Sequence, residues 1–317
     1  MNHIKYMIIG AGGTGGALGF YLTVAGKDVT LIARGAHLDA IRENGLFLET
    51  GHGGFSVPAE ACTVEEYSAR VEKDAGECPD IIFVCVKGYS LDETVPFIRQ
   101  TAGPNTIVIP LLNIYGTGKR LQALLPELTV TDGCIYIASE IKQPGCLLMS
   151  GDIFRVVFGL RKDTDSRTRT VSMPVLKLVE ADLSDAGILP ILSDQVERDT
   201  LRKFSFVSPM AAVGASYDVS ASAMQPDGPL RQTFISLVEE VKALSDAMEI
   251  PLPEDIVSIN LKIMDDLAPT ATASMQRDIK KGHQSEVDGL VYEVVRLGNQ
   301  YRVPMPVYGE LADKLGF

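Results

Sequence analysis

The spacing of apolar positions changes character partway along the chain. Up to about residue 193 they fall in short runs. Ile4–Ile9 (IKYMII), Ile81–Val86 (IIFVCV) and Thr106–Leu112 (TIVIPLL) are near-continuous apolar stretches, the pattern of strands buried on both faces of a parallel sheet. Asp28–Ala33 (DVTLIA) reads as a further strand. Between them, Ala17–Ala25 carries Leu18, Phe20 and Leu22 at helical spacing and stops at Gly26, Leu38–Asn44 forms a short helix closed by Gly45, and Leu91–Gln100 forms another. Gly51–Gly54 reads as a hairpin or loop. From Gly133 to Gly159 the runs shorten to CIYIAS, CLLMS and FRVVFG, separated by Pro144-Gly145 and Gly151-Asp152. These are expected on the far side of the same sheet, antiparallel in part. A helix over Met173–Asp185 and a last strand over Ile188–Leu192 complete a first domain, 1–193.

Beyond Asp194 the strand pattern disappears. Gln195–Ala215 predicts a long helix, apolar on nearly all sides after Phe204. After Gly228-Pro229, the residues Leu230, Phe234, Leu237, Val238, Val241, Leu244 and Met248 share one helical face. Further helices are expected over Glu254–Leu267, Ser274–Lys281, Glu286–Gln300 and Pro306–Leu315, so 194–317 is an all-α domain.

Between the first strand and its helix stands Gly10-Ala11-Gly12-Gly13-Thr14-Gly15. Strand, G-x-G-x-x-G and helix in that order form the dinucleotide-binding fingerprint: Gly10 serves a tight turn, Gly12 lets the backbone approach a pyrophosphate, and Gly15 allows helix and strand to pack closely. The amide groups at the helix start then face the phosphates. The competing reading is a signal-like or membrane-spanning stretch, because Tyr6–Gly26 carries no charge and Lys5 precedes it. Six glycines among the ten residues from Gly10 to Gly19 suit a phosphate loop better.

Composition narrows the partners. A length of 317 residues with 46% apolar content accommodates two cores. A net charge of −12 disfavours nucleic acid and anionic membranes, so any anionic ligand must be held by local basic residues. Five cysteines in no metal or disulfide spacing favour a reduced, cytoplasmic compartment. The four histidines (His3, His37, His52, His283) form no metal motif, and no metal is expected. Apolar faces on the terminal helices permit a homodimer and equally permit a core.

Three predicted strands end in residues that can hold a ligand. Arg34 lies 19 residues past Gly15, where a carboxylate would bond the ribose 2′-hydroxyl of NAD and an arginine pairs with the 2′-phosphate of NADP. Lys87 follows the third strand and Asn113 the fourth, both at carboxyl ends, where open α/β sheets bind ligands. In the helical half, Lys203 sits one turn into the apolar part of its helix, where an ammonium is poorly hydrated and suited to general acid catalysis; a snorkelling side chain is the alternative. A last cluster, Ala273-Ser274-Met275-Gln276-Arg277-Asp278-Ile279, Gly282 and Ser285-Glu286-Val287-Asp288, places a hydroxyl and a carboxylate at successive helix starts. Capping explains much of it, and the same pair suits binding of a small organic acid.

Taken together, the glycine turn, Arg34, the V-C-V-K-G segment, Asn113, Lys203 after an acidic turn and S-M-x-x-D-I-x-x-G-x-x-S-E-V-D resemble the ketopantoate reductase (2-dehydropantoate 2-reductase) family over nearly the whole chain. The resemblance implies a Rossmann-type domain followed by a helical domain like that of the 6-phosphogluconate dehydrogenase superfamily, with NADPH and a 2-keto acid in the cleft between. It assigns Gly10, Ala11, Gly12, Gly13, Thr14 and Gly15 to the pyrophosphate, Arg34 to the 2′-phosphate, and Lys87 and Asn113 to the nicotinamide side. Lys203 becomes the proton donor, Asn113 and Ser274 substrate ligands, and Glu286 a cofactor contact and partner of Lys203. The implied reaction is NADPH-dependent reduction of ketopantoate to pantoate in pantothenate biosynthesis.

Some positions depart from the family. Asn113 lies in Leu112-Asn113-Ile114 where the family has Gln before and Gly after it, Leu201 replaces an aromatic residue, and Val207 and Ala211 stand where the family has asparagine. Losing two amide ligands, each worth about 1–3 kcal/mol when buried, favours a less polar keto acid as an alternative substrate. A non-catalytic NADP-binding regulator is the alternative from outside enzymology.

Overall fold

The protein, seen in a computed structural model, is described over residues 4–317; His3 and the first three positions of the expected first domain lie outside the described residues. It divides into two compact units. One contains the described chain up to Leu112 together with Gly116–Val196, and the other Asn113–Tyr115 with Glu197–Phe317. The division falls at Val196/Glu197 rather than after residue 193, and three residues beyond the fourth predicted strand belong with the helices.

In chain order the first unit runs β1 (Lys5–Ile9), α1 (Gly13–Val24), β2 (Asp28–Ile32), α2 (Gly35–Asn44), β3 (Leu46–Thr50), β4 (Gly53–Val57), β5 (Glu60–Cys62), α3 (Val64–Lys73), β6 (Ile81–Val84), α4 (Val95–Thr101), β7 (Ile107–Pro110), α5 (Thr117–Leu124), β8 (Thr129–Val130), β9 (Asp132–Tyr136), β10 (Ser139–Gln143), β11 (Cys146–Met149), β12 (Arg155–Gly159), α6 (Ser166–Asp185) and β13 (Leu189–Leu192). Six strands form one parallel sheet in the order β5-β2-β1-β6-β7-β8. The order reverses at β1, the doubly wound arrangement in which ligands sit beyond the carboxyl ends of the strands. Alternate residues of β1 serve opposite cores, Tyr6 and Ile8 on one face, Met7 and Ile9 on the other. Burial on both faces is why these strands read as continuous apolar runs.

One expectation needs correction. The segments after Gly133 do not extend the parallel sheet: β10 and β11 join β3 and β4 in a four-stranded sheet, and β9, β12 and β13 form a three-stranded one. Backbone pairing across distant sequence, such as Leu147 with Leu48, has no local signature. Helix α3 falls where the apolar pattern predicts no element, although Thr63 and Glu66 form a capping box at its start, each side chain bonding the other's backbone amide.

At the outer edge of the three-stranded sheet, β13 directs its Leu189 and Ser193 amides inward to Phe154 O and Phe158 O. Its outward amides belong to Pro190, which has no N–H, and Leu192, whose N–H reaches Glu180 Oε1 at 3.3 Å. Leu189 and Ile191 nevertheless stay exposed.

The second unit contains α7 (Val196–Tyr217), α8 (Pro229–Ala247), α9 (Ile256–Asp266), α10 (Ser274–Lys280), a π-turn over Asp288–Tyr292, α11 (Glu293–Tyr301) and α12 (Pro306–Lys314). Its own core gathers Phe204, Ala211, Phe234, Leu237, Val241, Leu290 and Tyr308. Among the described residues no helix is long and apolar enough to cross a membrane, and no cluster of metal-binding side chains occurs.

Candidate active site

Helix α1 begins at Gly13, inside the glycine turn and earlier than its apolar pattern indicates, with Gly12 as its N-cap and no side chain capping it. Gly10 has φ +98°, and a Cβ there would lie 2.9 Å from Cys85 O; a Cβ on Gly15 would collide with the Gly10 carbonyl. Both positions therefore require glycine, for conformation at Gly10 and for close approach at Gly15. Gly12 differs from both, since a Cβ there would meet nothing within 4 Å. The backbone at Gly12 faces open space beside an uncapped helix start, as a bound pyrophosphate requires. Gly13 is confined against Ser139 of β10, Ala11 is buried, and Thr14 is half-buried in the first turn of α1.

Arg34 is exposed and precedes α2 as its N-cap residue in extended conformation. Among the described residues it makes no ion pair, which leaves its guanidinium available to an anion. Lys87 is half-buried, three residues past β6. The parallel register puts Ile9, Ile32 and Val84 side by side, so the glycine turn, Arg34 and Lys87 all follow the same end of the sheet.

One contact was not legible in the sequence. His37 Nε2 lies 2.9 Å from the Ala11 carbonyl oxygen, and the Gly145 amide donates to His37 Nδ1 at 3.0 Å. Partial burial moves this imidazole's pKa below its usual value.

In the helical unit Lys203 is 8% exposed and donates from Nζ to Asn113 Oδ1 at 2.7 Å. A charged donor at that distance makes a strong hydrogen bond, worth about 1.5–3 kcal/mol. Burial distinguishes this lysine from a snorkelling one. The two residues flanking Asn113 on its carboxyl side are also held. Ile114 packs on Gly289, where a Cβ would collide with its side chain, and the Tyr115 ring centroid lies 6.1 Å from that of Phe204. Gly289 belongs to the π-turn, and the Ser208 hydroxyl, on the same helix as Lys203, donates to Leu290 O at 2.6 Å within that turn. The helix that carries Lys203, an irregular turn and the strap that carries Asn113 are thereby tied to one another, and single π-turns recur at functional positions.

Glu286 is buried two residues before that turn, and its carbonyl accepts the Leu290 amide. Ser274 is half-buried as the first residue of α10; Ala273 is the N-cap and no side chain caps this helix, so Ser274 is not the cap its position suggested. Val207, one turn beyond Lys203, is partly buried against the core, and Ala211 is fully buried.

Comparison with known proteins identifies the family. The family described as Ketopantoate reductase PanE/ApbA matches residues 6–163, and its C-terminal counterpart matches residues 195–316. The chain belongs to the ketopantoate reductase family. Members of this family are oxidoreductases acting on 2-keto acids, and the Rossmann-type and helical units described above are the family's two domains. The 2-dehydropantoate 2-reductase of Mesorhizobium japonicum is 26% identical over 325 residues, covering 96% of this chain and 94% of that protein. Uncharacterized oxidoreductase YkpB of Bacillus subtilis is 23% identical, covering 96% and 95%. Among solved structures, a PanE/ApbA family ketopantoate reductase from Ralstonia eutropha superposes with a TM-score of 0.84 at 25% identity, covering 98% of this chain and 96% of that one. D-mandelate dehydrogenase with NADH and anilino(oxo)acetate shares the fold at a TM-score of 0.85 and 20% identity, covering 98% and 97%.

Proposed function

We propose that this ketopantoate reductase family member reduces a 2-keto acid with NADPH, and that its substrate is 2-dehydropantoate, giving pantoate for pantothenate biosynthesis. The observation that carries the reading is the buried Lys203 ammonium held 2.7 Å from Asn113 Oδ1. The open backbone at Gly12, beside the uncapped start of α1, fits a dinucleotide pyrophosphate. The exposed Arg34, free of ion pairs among the described residues, supports NADPH over NADH, because a guanidinium matches a phosphate in bidentate fashion.

When bound, the reduced nicotinamide supplies a hydride to C2 of the keto acid. Lys203 stabilises the negative charge that develops on the C2 oxygen and gives that oxygen a proton from Nζ. Asn113 accepts from Lys203 through Oδ1, which fixes the direction of the ammonium and leaves the amide nitrogen to donate. Ser274 acts as a substrate ligand, and Glu286 and Lys87 serve the cofactor side. Five free cysteines support a reducing, cytoplasmic setting.

A second substrate reading is favoured by Val207 and Ala211, which give the helix face beyond Lys203 no polar group. It assigns the chain a less polar keto acid. NADPH oxidation measured across ketopantoate and branched keto acids lacking its hydroxyl decides between the two by their kcat/KM ratio. NADPH binding with no turnover on any keto acid would overturn the catalytic reading and leave a binding protein.

A further inference from the structure

The glycine turn has one degree of freedom that its glycines do not control. The peptide between Ala11 and Gly12 is trans, so its carbonyl and the Gly12 N–H point in opposite directions. Gly12 has no Cβ and nothing within 4 Å of where one would stand, so no side chain at that position restrains the peptide plane. Whatever holds the Ala11 carbonyl therefore sets where the Gly12 N–H points.

His37, the third residue of α2, hydrogen-bonds that carbonyl through Nε2. Its protonation state follows from its partners. The Gly145 amide can only donate, so Nδ1 must be an unprotonated acceptor; Nε2 then carries the hydrogen and donates it to Ala11 O. The Ala11–His37–Gly145 chain of bonds has one consistent tautomer, and it anchors the glycine turn to the turn between β10 and β11. Gly13 and Gly16 pack against the same hairpin through Ser139 and Leu147, so that hairpin is a fixed support.

We infer that His37 is a positioning residue for the dinucleotide: by donating to the Ala11 carbonyl it holds the Ala11–Gly12 peptide in the orientation that presents the Gly12 N–H to the pyrophosphate. The inference rests on the proposed cofactor site and adds to it a residue outside the glycine fingerprint.

The test is direct NADPH titration, by fluorescence or calorimetry, of wild type and three variants whose folding is checked by circular dichroism and Tm. His37→Gln keeps a donor amide at the position of Nε2, His37→Asn keeps an acceptor at the position of Nδ1 but no donor that reaches Ala11, and His37→Ala keeps neither. The expected order is Kd near wild type for Gln and about tenfold weaker for Asn and Ala, the weight of roughly one hydrogen bond. The KM for the keto acid should stay unchanged in all three. A merely structural histidine would lower Tm without this split in Kd, and that outcome overturns the inference, as does an Asn or Ala variant that binds NADPH as wild type does. Wild-type protein that binds no NADPH would instead overturn the cofactor reading itself, and this inference with it.

Discussion

Replacing Gly289 by alanine tests how the strap sets the lysine. The three atoms nearest to an added Cβ all belong to the Ile114 side chain: Cγ2 at 3.0 Å, Cγ1 at 2.8 Å and Cδ1 closer still. Carbon atoms make ordinary contact at about 3.5–4 Å, so the π-turn or the strap must yield by roughly an ångström. Overpacking of that kind costs about 1–3 kcal/mol of stability. Asn113 is the next residue along the strap, and a displacement near an ångström at a catalytic group lowers kcat by about a hundredfold. Truncating the opposing side chain removes all three offending atoms at once. Ile114→Ala alone leaves a void and costs stability toward the low end of about 2–5 kcal/mol, since Ile114 is only partly buried. The double variant Gly289→Ala/Ile114→Ala should then recover most of the kcat lost in Gly289→Ala, with NADPH Kd near wild type throughout. The assay is steady-state NADPH oxidation with saturating keto acid, alongside thermal unfolding. Wild-type kcat in Gly289→Ala, or a double variant no better than Gly289→Ala, would refute the idea that Ile114 seats the strap on the turn.

Further outcomes follow from single groups. Arg34→Glu should erase the preference for NADPH over NADH by about 10- to 100-fold, the weight of a charge-assisted contact, and an unchanged ratio of kcat/KM would show that Arg34 does not meet the 2′-phosphate. Lys203→Met should lower kcat by about 10²- to 10⁴-fold while NADPH still binds, as titration against the variant will reveal; turnover near wild type removes Lys203 as the proton donor. The lowered pKa of His37 gives stability a sign. Between the folded value and the ordinary value near 6.5 the unfolded chain binds more protons, so stability is full above that range, declines as pH falls through it and levels off below. The Tm of wild type should therefore fall more steeply than that of His37→Gln between about pH 7 and pH 5, and parallel curves would contradict this.

How much of this was legible in the sequence depends on whether the cause is local. The doubly wound sheet could be read because β1, β6 and β7 are buried on both faces and β2 nearly so, and burial writes itself into every residue of a strand. Gly10 and Gly15 could be read because their spacing answers to a local collision. Asn113 and Lys203 were singled out separately, one for ending a strand and the other for entering an apolar helix. Their 2.7 Å contact bridges 90 positions and has no local trace. His37 escaped for a similar reason: both of its partners are backbone atoms, and backbone atoms carry no residue identity. The π-turn hides inside the predicted helix Glu286–Gln300, because helical periodicity continues on either side of the extra residue. By contrast α3 was there to be read, since Thr63-Val64-Glu65-Glu66 is a complete capping box.

The outer rim of β13 bears on whether that border can pair with another strand. Leu189 and Ile191 leave a greasy ribbon in contact with water, the kind of border along which sheets fuse into larger assemblies. Zipping of two such borders needs donors as well as acceptors, and here the imino acid at 190 lacks one while Glu180 sequesters the other. The ribbon offers carbonyls to an incoming strand but no hydrogen to share, so it can stay apolar without recruiting a neighbour.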